Sequence, residues 1–102
     1  MIRAVVTTPA ADADIKSAHA WWKTHRPAAP SLFAEELAVA FDLLGTSPSI
    51  GRRYRSRTVP GVRRTLMRTT RYHLYYVVEE SRVVVLAVWA AVRGQRPRLR
   101  RA

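Results

Sequence analysis

The chain has 102 residues, is 48% hydrophobic and contains no cysteine, which implies one domain over residues 1–102 and excludes disulfides, thiolate catalysis and cysteine-held zinc. No run approaches the roughly 20 apolar residues of a membrane span, the longest being residues 83–92, and the start lacks the basic-then-apolar pattern of a secretory signal, so a cytoplasmic protein is expected. Residues 51–102 carry fourteen arginines and no lysine against Glu79 and Glu80, a formal charge of +12, while residues 1–50 stand at −1, so a nucleic acid, an anionic surface or an acidic protein is the expected partner.

Residues 1–7, with Ile2, Val5 and Val6, read as a short strand. Thr8 and Pro9 then open a helix: threonine caps the first amides, proline is tolerated at the first helical position, and Asp12 and Asp14 suit the positive end of the dipole. Ala11, Ile15, Ala18 and Trp22 form its apolar stripe, and Pro27 stops it near His25. After a proline-bounded linker at 27–30, Phe33, Leu37, Ala40, Phe41 and Leu44 mark a second helix that Gly45 and Pro48 should end. Two such helices with a short connection make an antiparallel hairpin that must bury its stripes on a shared surface.

Residues 47–61 combine Pro48, Gly51, Pro60 and Gly61 with Arg52, Arg53, Arg55 and Arg57, and are expected to form an exposed, mobile basic loop. Strands follow at 62–69, 72–78 and 82–89, joined by turns at Thr70-Arg71 and Glu79-Glu80-Ser81. The last is apolar on both faces, Val83, Val85, Ala87 and Trp89 against Val84, Leu86 and Val88, as a central or doubly covered strand requires. Residues 93–102 are half arginine, with Pro97, and should fray. The expected class is α+β: an N-terminal strand, a helical hairpin, and a mainly antiparallel sheet ending in a three-stranded meander.

In this order, Thr8-Pro9-Ala10 before a helix with Trp22, Leu43-Leu44 with Pro48 and Gly51, Gly61-Val62-Arg63-Arg64, the Tyr72-His73-Leu74-Tyr75-Tyr76-Val77 run and the apolar 83–89 strand followed by Arg93 and Pro97 resemble the RelE/ParE superfamily of bacterial type II toxins. The resemblance implies growth inhibition, a neutralising cognate antitoxin, and either DNA gyrase or ribosome-bound messenger RNA as target. The ribonuclease branch implies a basic cluster on the sheet and a tail tyrosine, chemistry that works without a metal. Against that set, Arg63 and Arg93 fall on expected basic positions, but Thr65 replaces a second basic residue, His73 an arginine, and Leu99 the tyrosine. These departures fit the ParE-like branch, inhibition of gyrase. A metal-independent ribonuclease using Arg63, His73 and Arg93 is the alternative, and a non-toxic nucleic-acid-binding module a third.

His73, set among Arg63, Arg71 and Arg93, reads either as a partly buried strand histidine or as a base whose neutral form suits proton transfer. Tyr72 and Tyr76 share a face with Leu74 and Val78 and should pack beneath the helices. Tyr75 lies on the opposite face, within reach of a ligand. Arg52, Arg53, Arg55, Arg57, Arg64, Arg68 and Tyr75 are therefore the candidate target-binding residues. No carboxylate pair, metal-ligand spacing or cofactor motif stands out.

Overall fold

The computed structural model describes residues 1–92 and 94–101. Strand β1 (Ala4–Thr7) leads into helix α1 (Pro9–His25), helix α2 (Leu32–Thr46), a 3-10 turn (Pro48–Ile50), and strands β2 (Arg52–Arg53), β3 (Arg63–Met67), β4 (Tyr72–Val78) and β5 (Arg82–Ala90). The strands form one sheet in the order β1-β5-β4-β3-β2. Only the β1–β5 pairing is parallel, with Val5 beside Val83 and Thr7 beside Val85. This is the expected α+β architecture with one addition: the arginine pair Arg52–Arg53 makes a short edge strand on β3.

The apolar stripe of α1 (Ala11, Ala18, Trp22) and that of α2 (Phe33, Leu37, Leu44) bury against Met67, Leu74, Tyr76, Val83, Val85 and Val88 on one face of the sheet. A second core lies on the other face, where Tyr75, Val77, Val84, Leu86 and Ala87 are covered by Val59, Val62 and Leu99. With both faces covered, residues 83–88 of β5 are all apolar because neither set of these side chains meets water.

Strict alternation along β5 fails at one place. Tyr76 pairs with Val85 and Tyr75 with Ala87, leaving Leu86 as an extra residue in a β-bulge. The bulge sends Ala87 to the second core and returns Val88 to the helix side, the reverse of what unbroken alternation predicts for Val88. Helix α1 satisfies backbone groups around the bulge: Thr8 Oγ1 donates to the Leu86 carbonyl at 3.3 Å, and the Val88 amide donates to the Asp14 carboxylate at 3.0 Å. Thr8 also caps α1 as expected, accepting from the Ala11 amide at 3.2 Å.

Three expectations change. Gly45 does not end α2 but lies inside it, where a Cβ would stand 2.9 Å from the Arg3 carbonyl. Its role is close approach, since the Arg3 amide donates to the Gly45 carbonyl at 2.9 Å and joins the start of β1 to the helix. The 47–61 segment is anchored rather than loose: Gly51 and Val59 are buried, and Gly61, with φ +74°, makes the turn after Pro60 that turns the buried Val59 and Val62 into the second core. The tail, expected to fray, has no regular secondary structure over 96–101 but packs as a strap, with Pro97 and Leu99 buried and Thr58 Oγ1 donating to the Leu99 carbonyl at 2.8 Å. Arg101 pairs with Glu79, which Arg82 also holds at 2.5 Å.

Candidate functional site

Arg63 and His73 stand on opposite faces of the sheet. Arg63 is paired with Tyr76 and Leu66 with His73, and side chains alternate along each strand. On the helix side, Arg63 Nη1 donates to the Gly51 carbonyl at 2.7 Å, while the Gly51 amide donates to the Tyr76 hydroxyl at 2.8 Å and that hydroxyl donates to the Pro48 carbonyl at 2.7 Å. Arg63 thus secures the start of the basic loop. Burial pushes the Tyr76 phenol above its ordinary value, with the Gly51 amide and Arg63 opposing. A phenol held this way is a strut.

On the other face, His73 lies edge-on to Tyr75 at 6.1 Å between ring centres. Its pKa is lowered by burial first, then by Arg64 and Arg71, so the ring is neutral near pH 7. The arginines nearest in effect are therefore Arg64 and Arg71, whereas Arg63 lies across the sheet. Tyr75, expected to be reachable by a ligand, is only 4% exposed because the loop and strap cover its face. Tyr54 packs edge-on against it at 5.0 Å. The guanidinium of Arg64 lies 5.3 Å from the Tyr54 ring centre and that of Arg96 5.8 Å, two cations on one ring.

Arg52, Arg53, Arg55 and Arg57 are exposed along the edge strand and loop, and Arg68 is exposed at the end of β3, remote in register from Arg63 and Arg64. Thr65 faces the helix side beside Leu74. Leu99 is 3% exposed beneath the loop. Arg93 lies outside the described residues. The structure thus joins Arg64 to Tyr54, Tyr75 and His73, and separates Arg63 from them.

Sequence reasoning missed Tyr54 and its link to Arg96, though an aromatic residue inside an arginine run was a visible signal. It also missed a cleft of about 570 Å³ between α1 and the β4–β5 end of the sheet, lined by Trp21, Trp22, Arg26, Arg71, Tyr72 and Val92 among others. Trp21 is 43% exposed there, stacked on His25 at 4.5 Å, and Arg26 lies 5.6 Å from its ring centre. Among the described residues, no three His, Asp or Glu side chains converge as a metal site.

A family model described as the ParE toxin of the type II toxin-antitoxin system parDE matches residues 5–93. The chain belongs to this family. The matched segment runs from β1 through β5, and so takes in the helical hairpin, the basic loop and the whole sheet. Among solved structures, the chain is similar to one of the chromosomal ParDE system of P. aeruginosa, at 17% identity over 87% of this chain and 96% of that one, with a TM-score of 0.71. It is also similar to a chain of the RelBE2 toxin-antitoxin complex of Mycobacterium tuberculosis, at 23% identity over 89% and 94% of the two chains, with a TM-score of 0.63. At these identities the likeness establishes the fold shared by both kinds of toxin. No curated protein matches the sequence.

Proposed function

We propose that this type II toxin inhibits growth by acting on DNA gyrase, in the cytoplasm, until a cognate antitoxin neutralises it. The observation that carries the choice of target is the dispersal of the ribonuclease set. A metal-free RNA cleavage site needs cations around one phosphate and a group that moves a proton. Here Arg63 is committed to the Gly51 carbonyl on one face, His73 lies on the other, and Leu99 offers a buried alkyl group where a tyrosine would serve. Gyrase inhibition asks only for a binding surface, which the exposed arginines supply. The ParE description of the matching family supports the same choice.

The antitoxin is expected to seat an acidic and apolar segment in the tryptophan cleft, where Trp21 and Val92 offer exposed apolar surface and Arg26 and Arg71 offer charge. Trp21→Ala should weaken co-purification with the product of the adjacent gene by at least about tenfold, the scale of a lost aromatic anchor. Unchanged co-purification would move the docking site elsewhere. For the target, purified protein should slow gyrase supercoiling, and induced cells should filament with damaged DNA while translation continues. Immediate translational arrest with supercoiling intact would sink the gyrase reading and favour messenger RNA cleavage.

A further inference from the structure

The strap carries arginine on its outer side and apolar residues on its inner side. Arg96, Arg98 and Arg100 are exposed, while the intervening Pro97 and Leu99 are buried. This alternation is that of an extended segment lying on a surface, and it sets the Cα atoms of successive outward arginines about 7 Å apart along the chain, comparable with the separation of adjacent phosphates on one nucleic-acid strand. None of the three has an ion-pair partner among the described residues, because the one acid beside the strap, Glu79, is taken by Arg82 and Arg101.

The row continues inward. Arg96 and Arg64 share the Tyr54 ring, so the strap joins the sheet arginines through a fixed aromatic rather than through solvent. Beside it, a cleft of about 560 Å³ between the loop and the strap is lined by Thr58, Val59, Arg98, Leu99, Arg100 and Arg101. The buried Leu99 and the Thr58 hydrogen bond hold the backbone that carries these arginines in place before any ligand arrives.

We propose that the strap and the loop beneath it form a face that binds the phosphate backbone of nucleic acid without reading sequence. The choice of nucleic acid over an acidic protein rests on what the face lacks. A protein interface has an apolar core inside a polar rim, whereas nucleic-acid interfaces are polar and strongly positive. Here Pro97, Leu99, Val59 and Tyr75 are all turned inward, and the outward side chains of residues 96–100 are all arginine. Tyr54 is flanked by two guanidiniums, which leaves backbone contact rather than base stacking as the mode of binding.

This inference is independent of the toxin's target and of antitoxin docking, and its test involves neither. The purified full-length chain is titrated onto a labelled mixed-sequence DNA duplex, onto single-stranded DNA and RNA, and onto a polyglutamate peptide, across a range of salt. Duplex affinity should fall steeply with salt, and the Arg96→Gln, Arg98→Gln, Arg100→Gln triple variant, altered only at exposed positions, should reduce the magnitude of the log–log slope by about 2 to 3. A second triple variant with the same charge loss on the exposed side of α1, Lys16→Gln, Ala20→Glu, Lys23→Gln, should change it by less than about 1. Equal loss in the two triples would reduce the effect to net charge and overturn the proposal. So would tighter binding to polyglutamate than to any nucleic acid. The single-stranded arms identify which polymer suits the face, and no binding to any of them refutes it.

Discussion

Glu36 on α2 accepts three hydrogen bonds from the β3–β4 turn: the Thr69 and Thr70 amides at 2.8 Å each and the Thr70 hydroxyl at 2.5 Å. Burial opposes its charge, yet these bonds together hold the carboxyl below its ordinary value of 4.5. A depressed carboxylate stabilises the fold above that value and loses its contribution as pH falls through the folded pKa. His73 acts in a higher window. Its folded pKa lies below 6.5, so the unfolded chain binds the proton more readily and stability declines as pH drops below about 6.5. Denaturant unfolding across pH should therefore show two descending segments, with His73→Phe flattening the first and Glu36→Gln the second. Gly51 makes a second residue-scale prediction. A Cβ there would press on the Tyr76 hydroxyl and lie 2.9 Å from Cε1, so Gly51→Ala should cost about 2 kcal/mol by overpacking. Tyr76→Phe should cost about 1–3 kcal/mol by stranding the Gly51 amide and Pro48 carbonyl. The double variant should be less destabilised than the sum by about 1 kcal/mol, because losing the hydroxyl relieves part of the clash.

At the scale of elements, the fold depends on two attachments that bridge distant parts of the chain. Helix α1 is fixed to the β5 bulge through Thr8 and Asp14. Thr8→Val keeps the shape but removes both the cap and the bond to Leu86, and should cost about 1–2 kcal/mol in denaturant unfolding. The strap is the second attachment. Leu99→Ala leaves every charge in place while removing a buried anchor, a loss of about 2 kcal/mol. Hydrogen exchange should then rise around Val59, Val62 and Tyr54 while α1 and α2 keep their protection, because the two cores lie on opposite faces of the sheet. Equal loosening of both faces would show that the strap supports the whole fold.

For the whole molecule, the dominant quantity is a net charge of +11 concentrated in the second half of the chain. A field of this sign accelerates encounter with an acidic partner and is screened within a Debye length of about 8 Å at physiological ionic strength. The association rate with the antitoxin should therefore fall at least about tenfold between low and physiological salt, with dissociation changing far less if apolar anchors, as proposed for the tryptophan cleft, hold the formed complex. Stopped-flow mixing at several salt concentrations separates the two rates. A salt effect confined to dissociation would mean that ion pairs, rather than apolar contacts, hold the complex together.

The sequence by itself determined the two helices and the strands other than β2, because these are written in local chemistry: Thr8 and Pro9 start α1, the stripes of α1 and α2 repeat at helical spacing, and residues 83–88 are apolar on both faces because both are covered. The same local signals carried the family resemblance and the charge asymmetry. Which candidate site residues meet was decided only by tertiary structure. Arg63 and Arg64 are adjacent in sequence, yet the pleat sends them to opposite faces, one to the Gly51 carbonyl and the other to Tyr54. The bulge at Leu86 breaks the alternation, which by itself would place Val88 on the wrong face. Val59 and Leu99, which read as loop and tail residues, are buried because they cover the apolar second face of the sheet. Sheet register, bulges and the covering of a face depend on contacts between residues far apart in sequence, and no local pattern records them.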